Sequence, residues 1–230
     1  MKIYNKKERQ AAADGFEIQG KHMIKNKREL RAYLRVDRMM NRNTFSWGWK
    51  EHLKNRIVRD YVMDFLVHLR KYEYYMNQRG PIARLLELHH HRVYRELGVK
   101  LGFSIPPNVF GCGLVLPHYG TVVIGGENTL GNFCVINTAT CITEGRKTFG
   151  DDFFLATGAK VIGADMRFGD GVSVAANSVV RESFPQSNVL LGGLPAYVIK
   201  ESQPWYIRDG EPFRSKVERC KALLRDEGIL

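Results

Sequence analysis

Between Phe103 and Val180 the chain keeps a beat of six residues. Ile124, Leu130, Ile136 and Ile142 mark it, then Phe149, Leu155 and Val161, then Ile162, Phe168, Val174 and Val180. Small residues stand directly behind them, at Gly125, Gly131, Gly150, Ala156, Gly163, Gly169 and Ala175. Further along each unit comes another small or apolar residue, as at Cys134, Thr140, Ala159, Val172 and Ser178. A helix repeats about every 3.6 residues and a strand about every 2, so neither sustains this period. A β-solenoid does, because each hexapeptide forms one short flat face whose aliphatic residue points into a narrow shared core. The beat slips between Ile142 and Phe149 and again at Val161/Ile162, where loops are expected to bulge from the corners.

The flanks read differently. Residues 1–25 are polar with little periodicity and are expected to form a loosely held arm. Asn26-Lys-Arg-Glu29 opens a helix carrying Leu30, Tyr33 and Leu34 and ending near Asn41-Arg-Asn43. From Trp49 a long helix is expected, its core stripe formed by Leu53, Ile57, Tyr61, Phe65, Leu69, Tyr72 and Met76. Gly80-Pro81 breaks it and starts another, with Ile82, Leu85, Leu86, His89, Val93 and Leu97 facing inward. A last helix is expected from Pro212 to Arg225, with Phe213, Val217, Cys220 and Leu224 on one side. A solenoid end leaves strand edges and core uncovered, so the terminal helices are expected to cap the two ends. The resulting fold class is α+β: a mainly helical region over residues 1–101, a solenoid domain over 102–200 and a helical tail over 201–230.

The net charge of +11 is concentrated before the solenoid. Residues 1–100 hold 23 Lys and Arg against 11 Asp and Glu, whereas the remainder is nearly balanced. Such a surface suits anionic lipid, an acidic glycan or a phosphorylated substrate, and a solvated helical face accounts for it equally well. Nucleic-acid binding is not expected, since no zinc finger or RNA-recognition signature is present. No apolar run reaches the ~18 residues of a membrane span, and the start has no apolar leader segment. The four cysteines lack metal-type spacing, and Cys134 and Cys141 fit as small buried hydrophobes. A cytoplasmic protein is expected, with peripheral contact at the inner membrane surface open to the basic half.

His89-His90-His91 is not expected to hold a metal, because adjacent helical side chains point about 100° apart. His89 on the apolar stripe is expected to be packed and the other two exposed. The aromatic run Tyr72-Glu-Tyr-Tyr75 reads as core packing before it reads as a binding surface.

Val115-Leu-Pro-His-Tyr-Gly-Thr-Val-Val-Ile-Gly125 carries the only histidine after residue 91. With Ala156-Thr-Gly-Ala-Lys-Val-Ile-Gly163, Val174-Ala-Ala-Asn-Ser-Val-Val180 and Gly192-Gly-Leu-Pro-Ala-Tyr-Val-Ile-Lys200, the chain resembles the hexapeptide-repeat acyltransferases. The likeness covers roughly residues 100–200 and is strongest to the branch related to serine acetyltransferase. Ile105-Pro-Pro-Asn-Val-Phe-Gly111 followed by Pro117-His-Tyr-Gly120 looks most like enzymes that O-acetylate capsule or lipopolysaccharide sugars.

That resemblance implies a left-handed parallel β-helix using acetyl-CoA as co-substrate, requiring no metal, and assembled as a homotrimer with sites between subunits. It implies that His118 is the catalytic base, deprotonating an acceptor hydroxyl that attacks the thioester directly in a ternary complex. It places acetyl-CoA along Gly158, Ala159 and Lys160, Ala175, Ala176 and Asn177, and Pro195, Ala196 and Lys200. Tyr119 and Arg146 are the residues expected at the acceptor.

The match departs from serine acetyltransferase in three places. Ser104-Ile-Pro-Pro107 stands where that branch has Asp-Ile-His-Pro, and Pro117 where it has Asp. Thr143-Glu-Gly-Arg-Lys-Thr148 lacks its Arg-His pair. The partner that orients His118 is therefore open among Glu127, Glu144, a backbone carbonyl and a neighbouring subunit. A saccharide acceptor in surface polysaccharide synthesis is the leading expectation. Serine O-acetylation is its rival, and a catalytically inactive scaffold is the alternative of another class.

Overall fold

A computed structural model describes residues 22–46 and 48–230. The arm expected over residues 1–25 falls mostly outside the described residues. Its end does not behave as an arm: Ile24 is fully buried in a cluster with Tyr33, Met39 and Tyr74.

Four helices precede the solenoid among the described residues: α1 (Lys27–Arg42), α2 (Trp49–Ile57), α3 (Tyr61–Met76) and α4 (Pro81–Leu101). Asn26 caps α1 by accepting the Glu29 N–H at 2.9 Å, and Asn43 ends it in the left-handed region at φ 58°. The single helix expected from Trp49 is two. Asp60 accepts the Met63 N–H at 3.1 Å as a new N-cap, and its own N–H is held by Asn55. The core stripe survives only in α3, where Phe65, Leu66 and Leu69 are buried; Trp49, Leu53 and Ile57 on α2 face solvent. The inward face expected for α4 is also only half realised. Ile82 and Leu85 are exposed, because α4 meets the core only over its second half, through Val93, Tyr94, Leu97 and Leu101.

The hexapeptide beat is realised as thirteen short strands, β1 (Phe103–Ser104), β2 (Val122–Ile124), β3 (Thr129–Leu130), β4 (Val135–Ile136), β5 (Thr140–Ile142), β6 (Thr148–Phe149), β7 (Phe154–Leu155), β8 (Lys160–Val161), β9 (Arg167–Phe168), β10 (Ser173–Val174), β11 (Val179–Val180), β12 (Val189–Gly193) and β13 (Ala196–Glu201). They stack into three faces: β1-β2-β5-β8-β11, β3-β6-β9 and β4-β7-β10-β12, all paired in parallel. β13 extends the third face as an antiparallel return on β12. The chain thus winds through about five coils of a parallel β-solenoid.

The slip at Val161/Ile162 has a local cause. Val161 is the inward residue and Ile162 is only half-buried, so the extra length lies in the turn 163–166. The aromatic ladder Phe149–Phe168 stacks at 4.5 Å with rings 3° apart in the second face. Cys134 is buried as expected, but Cys141 on the middle of β5 points outward and is half-buried.

At the second corner an unforeseen polar ladder climbs the axis. Asn132, Asp151 and Asp170 each follow a glycine, and each caps a backbone N–H of the coil below. Cys112 N donates to Asn132 Oδ1 at 3.1 Å, Asn132 N to Asp151 Oδ1 at 2.7 Å, and Asp151 N to Asp170 Oδ1 at 2.8 Å.

The first coil is capped by α3 and the end of α4, whose Met63, Phe65, Leu66, Leu97 and Leu101 join the solenoid core. The last helices, α5 (Trp205–Arg208) and α6 (Glu211–Asp226), do not cap the other end. They fold back along the flank, where Val217, Cys220 and Leu224 pack with Ala32, Val36, Met39 and Trp205. Trp205 Nε1–H donates to Phe133 O at 2.9 Å and anchors that return. Among the described residues no helix is long and apolar enough to cross a membrane.

Candidate functional site

The corner joining the third face to the first decides where His118 stands. The register equates Leu116 with Ile136, Leu155 and Val174 on the inward side. It equates Val122 with Thr140 at the next face, and Cys141 with Lys160 and Val179. The later corners therefore take three residues each: 137–139, 156–158 and 175–177. The first takes five, Pro117-His-Tyr-Gly-Thr121. This two-residue excess lifts Pro117, His118 and Tyr119 off the coil, and all three are exposed.

Both ends of the loop are held. Asn41 on α1 donates to Leu114 O at 2.8 Å and accepts the Leu116 N–H at 3.2 Å. At the other end Gly120 N donates to Leu101 O at 2.8 Å, joining the loop to the C-terminus of α4. Gly120 adopts φ 135°, and a Cβ there would meet the Thr138 side chain at 3.3 Å. Thr138 thus lies one coil up, against the His118 loop. Sequence reasoning does not single it out, although its fixed distance from the inward Ile136 places it at this corner.

Directly above His118 along the same edge lie the small triplets. Gly158 N donates to Thr138 O at 3.1 Å and Asn177 N to Thr157 O at 3.0 Å, tying one corner to the next. The third residue of each triplet is left-handed: Ala139 at φ 59°, Gly158 at 77° and Asn177 at 57°. Gly158 is required twice over, because a Cβ there would also fall 2.0 Å from Asn177 Oδ1. Ala175, Ala176 and Asn177 are partly or fully exposed, as is Pro195 where β12 turns into β13. Lys160 begins β8 beside this edge, exposed, with its ammonium on Gly158 O at 3.1 Å. Along this edge Thr157, Ala176 and Asn177 are exposed and Ala156 and Ala175 half-buried, while Gly158 is buried beneath them.

Not every expected residue joins it. Ala159 and Ala196 are buried in the core, so their side chains face away from this edge. Lys200 pairs with Leu190 at the far end of the β12–β13 hairpin. Arg146 sits at the corner between the first and second faces, paired in solvent with Asp165 at 3.1 Å. Within one chain Tyr119, 75% exposed, is the expected acceptor residue beside His118.

The two acidic candidates for orienting His118 are engaged elsewhere. Glu144 accepts the N–H groups of Gly126 and Glu127 at 3.1 and 3.3 Å, while Glu127 accepts that of Gly145 at 3.0 Å. They tie successive coils together at the corner that also holds Arg146. The imidazole of His118 makes no hydrogen bond or ion pair with any described residue. Lys147, fully buried at this corner, donates to Thr143 O and Glu144 O at 2.7 and 2.6 Å, and burial lowers its pKa.

No family model matches the chain. A serine acetyltransferase of Staphylococcus epidermidis is 27% identical over 141 residues, which cover 58% of this chain and 62% of that protein. One from Staphylococcus aureus is 31% identical over 120 residues, covering 49% and 54%. The chain thus spans between about half and three-fifths of the length of these relatives. A solved structure of a serine acetyltransferase in complex with CoA matches 74% of this chain and 67% of its own, at 14% identity and a TM-score of 0.45. In sequence, the chain is similar to serine acetyltransferases.

Proposed function

We propose that this chain is an acetyl-CoA-dependent O-acetyltransferase with His118 as its general base. The observation that carries the reading is the five-residue corner: it presents a histidine at the foot of an edge otherwise built from small triplets. Sequence similarity to serine acetyltransferases supports the same reaction class. A ligand lying along this edge, with its reactive end at His118, spans coils two to four, or about 10–15 Å. Ala175 and Ala176 present small side chains there, and the exposed Lys160 supplies a cation for a phosphate.

The chemistry asks little of the chain beyond this. A neutral imidazole takes the acceptor hydroxyl proton as the oxygen attacks the thioester carbonyl. The tetrahedral adduct collapses, the C–S bond breaks, and the imidazolium returns its proton to the departing CoA sulfur. General-base help of this kind is worth about 10²–10⁴-fold. A tautomer-fixing partner is still required, and we assign it to a neighbouring copy of the chain against this edge.

For the acceptor, a saccharide hydroxyl of a surface polysaccharide precursor fits the loop best. Serine needs a cation for its carboxylate and an anion for its ammonium group. Pro117 and Tyr119 flank His118 instead, and Arg146 stands at another corner. Serine O-acetylation is the second reading, favoured by what the relatives are called. An acceptor screen following free CoA separates them. Release with a glycan precursor and none above background with millimolar L-serine is expected. Saturable serine acetylation with no saccharide activity overturns the first reading.

A further inference from the structure

Away from the His118 edge, α3 and α4 bring three imidazoles together. Of the consecutive trio on α4, His91 turns aside and stacks on Tyr72 at 4.6 Å, with the rings 14° apart. His90 is buried and His89 exposed, the reverse of the sequence expectation, because α4 leans on α3 through its His90 side. The third imidazole comes from α3. His68 lies across from both, its ring 4.9 Å from that of His90 and 5.9 Å from that of His89. A set of ligand nitrogens, one from each of His68, His89 and His90, falls within 4.8 Å of one another.

We propose that His68, His89 and His90 form a binding site for a divalent transition metal of the Zn²⁺ type, pinning α3 to α4. The geometry of the inner pair is the main support. His68 Nδ1 and His90 Nδ1 stand 3.0 Å apart. Two nitrogens on a tetrahedral zinc, each at about 2.0–2.1 Å, are separated by about 3.3 Å, so this pair needs little adjustment. The exposed His89 has rotamer freedom to close the remaining gap, and solvent supplies a fourth ligand. Three consecutive helical histidines cannot converge on one ion, but the rings of His89 and His90 stand 4.9 Å apart and His68 faces both from the other helix.

Burial, together with the nearby Lys71, lowers the pKa of His68 to about 4, and burial with His68 lowers that of His90 to about 4. Lys71, Arg59 and Asp64 are the charged groups facing the cluster. The two cations oppose an incoming metal and Asp64 favours it, so affinity rests on the nitrogen donors. Tyr75 stacks flat on His90 at 5.5 Å and fixes its ring plane. The cluster lies about 18 Å along α4 from Leu101, where the His118 loop attaches, so it is separate from the acetyl-transfer site.

Calorimetric titration of the metal-stripped, tag-free full chain with ZnCl₂ tests this. One Zn²⁺ per chain is expected to bind and to raise the thermal midpoint. His68→Gln and His89→Gln are expected to lose more than the about 10–100-fold that removing an outer-shell partner costs, while His91→Gln and His118→Ala bind as the parent does. His89 is exposed, so its variant keeps the test valid even where a change at buried His90 disturbs folding. Saturable binding that survives both His68→Gln and His89→Gln overturns the proposal. So does the absence of saturable binding in the parent, which leaves the pair as a hydrogen-bonded imidazole couple.

Discussion

Arg70 on α3 and Asp37 on α1 meet in a 2.8 Å ion pair with both side chains wholly out of water. Arg70 also binds Glu73 at 3.0 Å and donates to Phe110 O and Gly111 O at 2.9 and 2.6 Å. The acids reach the same coil: Asp37 accepts the N–H groups of Gly113 and Leu114, and Glu73 that of Asn108. The helical cap is thus keyed to the first coil, beside the segment that carries His118. Burial works against the Arg70 charge, but Asp37 and Glu73 prevail and hold its pKa above the ordinary value. Burial pushes the Glu73 carboxyl up, and Arg70 offsets only part of that.

Arg70→Met should therefore cost on the order of 3–5 kcal/mol, because it strands two buried carboxylates and two carbonyls. Urea unfolding of the variant checks this. A loss below about 1 kcal/mol would show that the network is not a keystone of the cap.

Asp152 gives a pH signature. It is buried in the left-handed region at φ 62°, and its Oδ1 has no hydrogen-bond partner among the described residues. Burial pushes its pKa up to about 7, with Lys221 opposing and Asp151 and Asp170 adding. Between the ordinary value of 3.8 and about 7 the folded chain holds a proton that the unfolded chain has lost. This residue's contribution to stability is thus full at low pH, falls as pH rises through that window, and levels off above it. Asp152→Asn removes the titration and tolerates the same backbone. Its stability relative to the parent should improve from about pH 4 to about pH 8 by on the order of 2–4 kcal/mol. A difference that stays flat with pH would contradict the assignment.

Light scattering addresses assembly. His118 has no orienting contact among the described residues, and it stands exposed on its corner. A homotrimer is expected, with the missing partner supplied by the adjacent copy. A stable, fully active monomer would contradict this.

These features are unequally legible in the sequence. The solenoid is readable because its core is one-dimensional: a residue such as Phe149 stacks on its counterpart Phe168 one coil up, so periodicity alone reports the packing. The His118 corner precedes Ile124, the first residue that marks the beat, and its two-residue excess emerges only from the strand register. The helices are less legible, since an apolar stripe does not say what covers it. Leu69 is buried under the first coil, whereas Leu53 and Leu85 face solvent. Arg70 reads as one more basic surface residue, because Asp37, Phe110 and Gly111 are distant in the chain and become its neighbours only on folding. His68 is hidden for the same reason, lying on a different helix from the consecutive trio.

Replacement of His118 tests the central claim most directly. Free CoA release should be followed for the parent and His118→Ala, with the acceptor that gives the fastest turnover and acetyl-CoA binding measured in parallel. The account predicts unchanged acetyl-CoA affinity and a turnover lower by about 10²-fold or more. A variant that binds acetyl-CoA and turns over at near-parental rate would place the base elsewhere and contradict it.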